Sequence, residues 1–429
     1  MSPAAETRLS STRGGLRVIT EPLAGTRSVA LGIWVATGSR YETDAEAGIA
    51  HFIEHLVFKG TPTHSVRDIA ELFDGLGGEV NAATGRDYTV FYTRVLDDHL
   101  DRAFPVLADM LQHPGFYELD QEREVVLEEI AMYEDDPQDK VHDMLGAAVF
   151  PDQPLGRPVI GTADVISSVD HAGLDGYFRS HYTAPNMVVA ASGNVDHDAL
   201  LEQCERLLTD VPGGHGPLVF TPAAPGPARL VVQEKPTEQY HLAFGAPGMV
   251  RDDPRRHAHS VLDTVLGGSM SSRLFQEIRE KRGLAYSVGS FTSGYADAGQ
   301  VGLFLGTRRE NLRLACEIIR TELDRLADEP LSGRELDRTK DHLKGRLVLS
   351  LESATTRMNR IGRASVTGSE ILSLDQLVER IDAVTAADVQ ALAQEMWRPE
   401  RFSLAAIGSD RSAIREAAEA FAEGLATAG

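Results

Sequence analysis

The sequence predicts an α+β protein of two similar domains, each a mainly antiparallel sheet with helices packed on one face. Three observations carry this expectation. Strand-like segments recur at matching places in the two halves, helical segments separate them, and a stretch dense in Pro and Gly lies between the halves. A length of 429 residues also exceeds what a single core usually serves.

In chain order, Ser28–Val35 (SVALGIWV) reads as a strand leading through a polar turn to a helix, and Glu238–Ala246 (EQYHLAFGA) repeats that arrangement. Asp87–Val95 (DYTVFYTRV) and Gln300–Leu305 (QVGLFL) read as further strands of the two sheets. Ile166–Asp170, a helix and Pro185–Gly193 are echoed by Ile381–Thr385, a helix and Pro399–Gly408. The offset is 215 at Ile166/Ile381 and again at Gly193/Gly408. A period this long marks duplicated domains, because solenoid units are far shorter. The stretch Val211–Leu230 (VPGGHGPLVFTPAAPGPARL) reads as the connection. The expected division is therefore 1–212, a linker at 213–229, and 230–429.

The first helix carries the strongest chemical signal. Gly48–Gly60 (GIAHFIEHLVFKG) contains His51, Glu54 and His55 at i, i+3 and i+4, so all three leave one helix face. Two imidazoles beside a carboxylate can supply two zinc ligands and a general base, the inverse of the His-Glu-x-x-His order. Ile49, Phe52, Ile53 and Leu56 form the opposite, apolar stripe, which would leave His51, Glu54, His55 and Phe58 facing a cleft. A catalytic zinc needs a third protein ligand. The helical segment Glu118–Pro137 offers Glu129, whose neighbours Val125, Val126, Met132 and Tyr133 make it an acid in an apolar stripe. Such an acid must meet a cation, either a metal or a buried Arg, and this pattern leaves both open. Glu122, seven residues earlier on the same face, is a candidate to orient a ligand or a water.

The second half has no such motif. Where the first half has HFIEH, it has HAHSVLDTVLGG (His257–Gly268), and His257 and His259, two apart, read as surface histidines. One zinc per chain is expected. Ser272–Ser287 (SRLFQEIREKRGLAYS) reads as a basic helix ending at Gly283 before a strand, with Lys281 and Arg282 suited to the negative end of the helix dipole.

HFIEHLVFKGT followed by EREVVLEEIAMYEDDP resembles the pitrilysin/insulinase family of metallopeptidases, most closely the two-domain branch containing mitochondrial processing peptidase and its bacterial relatives. The resemblance covers essentially the whole chain and implies the same duplicated fold. It implies His51, His55 and Glu129 as zinc ligands, Glu54 as the base and Glu122 as the supporting acid. It further implies that Arg279 and Tyr286 meet the substrate from the metal-free domain. Asn81 and Ala82, in Gly77–Thr84 (GGEVNAAT), would lie on an exposed sheet edge near the metal. Such an edge can add a peptide as a strand, although a plain hairpin approach explains the glycines equally well. The glycine-rich loop of the mitochondrial enzyme's non-catalytic subunit shrinks here to Leu266–Ser272, as in a catalytic subunit.

The function implied is a zinc endopeptidase acting on peptides, precursors or unfolded segments inside a chamber of paired domains. The alternatives are a silent scaffold, like the core subunits of respiratory complexes, and a catalytic subunit needing a separate partner. Larger members join a second, metal-free pair of domains in one chain, so a homodimer is expected here. A net charge of −22 argues against nucleic acid and would attract basic peptides, though a general solubility bias accounts for it as well. No run of about 20 apolar residues is present to span a membrane. MSPAAETRLSSTRGGLRVIT has no apolar signal core, which fits a cytoplasmic protein. Cys204 and Cys316, the two cysteines, read as buried bystanders.

Overall fold

The structure, a computed structural model, describes residues 7–214 and 218–427. Residues 1–6, in the segment read for targeting, and 215–217, in the segment read as the linker, lie outside the described residues.

Six strands form the first sheet: β1 (Arg8–Ser11), β2 (Arg17–Pro22), β3 (Ser28–Val35), β4 (Glu79–Thr84), β5 (Thr89–Leu96) and β6 (Met187–Gly193). Their order is β1-β2-β6-β3-β5-β4, with β2 and β6 parallel and the other neighbours antiparallel. The second sheet contains β7 (Arg229–Glu234), β8 (Tyr240–Gly248), β9 (Ala285–Gly294), β10 (Gly299–Thr307), β11 (Ser403–Gly408) and β12 (Ala426–Thr427). Its order is β12-β7-β11-β8-β10-β9. From β2 and from β7 onward the two orders match strand for strand. The duplication breaks at one edge, where β1 is antiparallel to β2 but β12 is parallel to β7.

The chain packs as two compact units, and each takes one segment from the other half. The first comprises 1–131, 157–221 and 349–371, and the second comprises 132–156, 222–348 and 372–429. In the first unit, Leu31, Ile33 and Phe91 of the sheet join Phe52, Leu56, Phe104 and Leu107 of the helices Ile49–Val57 and Leu100–Gln112 in one core. The sheet's other face is covered too. Trp34, Val188 and Ala190 pack with Met358 and Ile361 of the helix Ala354–Thr367. Arg357 and Arg360 of that helix both bond the buried Glu21 carboxylate of β2. Covering on both faces explains why β3 is an almost unbroken apolar run rather than an alternating one.

The second unit repeats this plan. Phe244 and Leu404 share a core with the helices Arg256–Leu266, Leu312–Asp328, Ala386–Met396 and Arg411–Phe421. On the other face Leu145 and Val149 of the helix Pro137–Val149 pack with Ala243, Ala405 and Ile407.

His259 departs from its expected surface position. It is buried, and its Nε2 accepts a hydrogen bond from Trp397 Nε1 at 3.3 Å. Burial holds its pKa down to about 4, which keeps the ring neutral and able to accept. Cys204 and Cys316 are free and buried, and burial pushes both thiols up to about 12, so neither is a reactive thiolate. Among the described residues no helix is long and apolar enough to cross a membrane.

Candidate metal centre

The helix Ile49–Val57 buries Ile49, Ala50, Phe52, Ile53, Leu56 and Val57, which turns His51, Glu54 and His55 to its more open side. Its start is fixed by two devices. Gly48 has φ +98°, and a Cβ there would come within 2.6 Å of the Ile160 carbonyl oxygen, so only glycine fits. The buried Glu42 carboxylate accepts from the Gly48 and Ala50 N–H groups at 2.8 and 2.9 Å, capping two of the helix's free donors.

The helix Leu119–Asp135 brings the third donor. Glu129 Oε2 lies 3.8 Å from His51 Nε2 and 3.5 Å from His55 Nε2. Among the described residues these three are the one group of His, Cys, Asp or Glu with donor atoms close enough to hold a metal together, all within 4.8 Å of one another. Zinc bound by N and O donors at about 2.0–2.2 Å in a tetrahedron sets those donors about 3.3–3.6 Å apart. The Glu129–His55 distance lies in that range and the Glu129–His51 distance just above it. Burial, and then the neighbouring His55, lower the His51 pKa to about 4, so its ring is neutral at pH 7, as a metal ligand must be.

The apolar stripe expected around Glu129 is not a buried one. Val126 is fully buried, but Val125, Met132 and Tyr133 are exposed. The buried line of this helix runs through Glu122, Val126 and Ile130 at i, i+4 and i+8, and Glu129 sits one position off it. Glu129 is thus partly open, with 32% of its side chain accessible, and Glu122 is the buried acid. Glu122 Oε1 lies 2.9 Å from His55 Nδ1, and its Oε2 lies 2.5 Å from Lys59 Nζ.

Glu54 stands beside the donors, and its Oε2 accepts a 2.5 Å hydrogen bond from Thr84 Oγ1, at the end of β4. Burial raises the Glu54 pKa above the usual glutamate value, against the lowering effect of the Thr84 bond. Sequence reasoning missed Thr84 and Lys59. Lys59 was findable at i+4 from His55, whereas Thr84 is placed only by sheet pairing.

β4 ends the sheet, pairing with β5 alone among the described residues. Asn81 is exposed there, its Oδ1 accepting from Ala82 N–H at 2.8 Å, and Ala82 is half-buried. Phe58 is also half-buried, its ring 6.5 Å from that of Phe91, so part of it belongs to the core. Arg279 and Tyr286 lie in the second unit and meet each other. The guanidinium sits 4.3 Å from the Tyr286 ring centroid and 4.7 Å from that of Phe275, and Tyr286 is 77% exposed. The basic helix expected there is a π-helical turn, Phe275–Glu280, which ends before Gly283 at φ +60°.

Comparison with known proteins identifies the family and the fold. Residues 17–163 match the insulinase family (peptidase family M16), and residues 168–343 match the peptidase M16 inactive domain. An uncharacterized zinc protease of Streptomyces coelicolor is 44% identical over 420 residues, covering 95% of this chain and 91% of the relative. Another from Bacillus subtilis is 40% identical, covering 92% and 96%. Two solved structures share the fold. A protease from Helicobacter pylori has a TM-score of 0.88 at 20% identity over 95% of this chain and all of its own. A peptidase M16 inactive domain protein from Pseudomonas fluorescens has a TM-score of 0.87 at 23% identity, over 94% and 98%.

Proposed function

Because the chain belongs to the insulinase family, peptidase family M16, we propose that it is a zinc endopeptidase cutting peptides, precursors or unfolded segments. The observation that carries this reading is the convergence of His51, His55 and Glu129 near zinc-ligand spacing, with the carboxylate of Glu54, held by Thr84, on the same helix face as the two histidines. A silent scaffold has no use for that convergence. One zinc per chain, held by these three residues, supplies Lewis acidity to the scissile carbonyl and to the attacking water when bound. Glu54 takes the proton of that water and returns it to the departing amine, while Thr84 holds the carboxylate in place. Glu122 orients His55 through Nδ1.

The substrate adds to the free edge of β4 as a strand, with Asn81 and Ala82 beside its main chain and Phe58 near one side chain. Main-chain pairing gives recognition with little sequence preference, which suits unfolded segments, and the acidic chain favours basic ones. The first half of the chain carries the metal. Arg279 and Tyr286 of the second donate hydrogen bonds to substrate carbonyls and to the developing oxyanion. We place those two groups in a homodimer, where they serve the zinc of the partner chain inside a closed chamber. The primary test is zinc content with peptide hydrolysis before and after chelation. We expect close to one zinc per chain, activity lost on chelation and regained with zinc. Equal cleavage by metal-free protein refutes the reading.

A further inference from the structure

We infer that Lys59 is a positioning residue of the metal centre, holding the Glu122 carboxylate that in turn holds the His55 ring. The inference rests on zinc occupying His51, His55 and Glu129. His51, His55 and Lys59 follow one another at intervals of four. The backbone stays coiled past the helix end, with Phe58 N–H bonded to His55 O and Lys59 N–H to Leu56 O, so Lys59 remains on the histidine face. On the facing helix Glu122 and Glu129 are seven residues apart, almost two turns, and share a face.

The two rows interlock as a ladder. Glu129 stands between His51 and His55, and Glu122 stands between His55 and Lys59. Each Glu122 oxygen has one of these partners, Oε1 the imidazole Nδ1 and Oε2 the ammonium. Glu122 is only 4% exposed, so water is poorly placed to replace a lost donor, and an unpaired oxygen would turn toward another. With zinc on Nε2, His55 must carry its proton on Nδ1, and an acceptor held at 2.9 Å fixes both that tautomer and the ring plane. Lys59 therefore acts on the metal through Glu122, and its effect must vanish when Glu122 cannot transmit it.

That condition is the test. Zinc affinity of the full chain is measured by competition with a chromophoric chelator for wild type, Lys59→Met, Lys59→Arg, Glu122→Gln and Lys59→Met/Glu122→Gln. Melting of the metal-free proteins is followed in parallel. Lys59→Met should weaken zinc binding about tenfold, the low end for groups outside the ligand shell. Lys59→Arg, which keeps the charge, should stay close to wild type. In the Glu122→Gln background Lys59→Met should cost nothing further, a coupling that general destabilisation would not produce. Unchanged or tighter zinc binding by Lys59→Met, or the same loss with Glu122→Gln present, overturns the inference. If Lys59→Met does not fold, failure of Lys59→Arg to match wild type overturns it. Failure of the underlying zinc site looks different, because wild type and His51→Ala would then bind zinc alike.

Discussion

Replacing Glu54 with Gln separates chemistry from metal binding. Glu54 is no ligand in this geometry. The three donor atoms belong to His51, His55 and Glu129, and the Glu54 carboxylate is held by Thr84 Oγ1 instead. Glutamine keeps a carbonyl oxygen to accept that bond and nearly the same volume, so helix packing and zinc content should be unchanged. What it loses is basicity. A positioned general base contributes about 10²–10⁴ in rate, or about 3–5 kcal/mol of barrier at 1.36 kcal/mol per decade, so kcat should fall by that factor with little change in KM. The assay is fluorogenic peptide hydrolysis with zinc quantified on the same sample. Wild type should also show an acid limb above the ordinary glutamate range, since burial raises Glu54 and the base works only when ionised. Thr84→Val removes a donor that favours the carboxylate, so the limb should move to still higher pH. Turnover by Glu54→Gln near the wild-type rate, with zinc retained, would refute Glu54 as the base.

Glu129→Gln, in contrast, should lose zinc itself, and normal metal content in that variant returns Glu129 to a structural role. Mixing Glu54→Gln with Tyr286→Phe chains should restore part of the activity, because one site in each mixed dimer regains both groups; free subunit exchange without recovery rules out the shared site. Met358→Ala, on the second face of the first sheet, should cost about 2–5 kcal/mol in denaturant melts, whereas a surface-sized effect would mean that the helix Ala354–Thr367 is only loosely held. Burial raises Asp109, but bonds from Thr61, Thr63, His64 and His113 outweigh it and bring the group down to about 2. A depressed acid stabilises the fold above its unfolded value and loses that contribution as pH falls through the folded one. The stability gap between wild type and Asp109→Asn should therefore narrow from pH 4 to pH 2, and a constant gap contradicts the network.

What could be read before the fold was known follows from the range of the interactions involved. His51, Glu54 and His55 declare themselves because helical periodicity depends on residues three and four apart. β3 could be bounded to the residue because apolar side chains fill nearly all of it. Glu129 was reached by an argument only half right. Its apolar neighbours exist, but Val125, Met132 and Tyr133 turn outward, and which line of an evenly mixed helix is buried depends on the facing surface. The same ignorance hid His259, whose partner Trp397 lies 138 residues away. It also hid the two exchanged segments. The helices Pro137–Val149 and Ala354–Thr367 are amphipathic by pattern, and amphipathicity says that a face is covered without saying by which sheet. A trace of the exchange was nevertheless on view. An antiparallel strand with helices on one face should alternate, and SVALGIWV does not, so a second cover for β3 was implied before any partner could be named. Glu21 on β2 shows the same exchange from the other side, since a buried acid calls for a cation, which Arg357 and Arg360 supply from the far half of the chain.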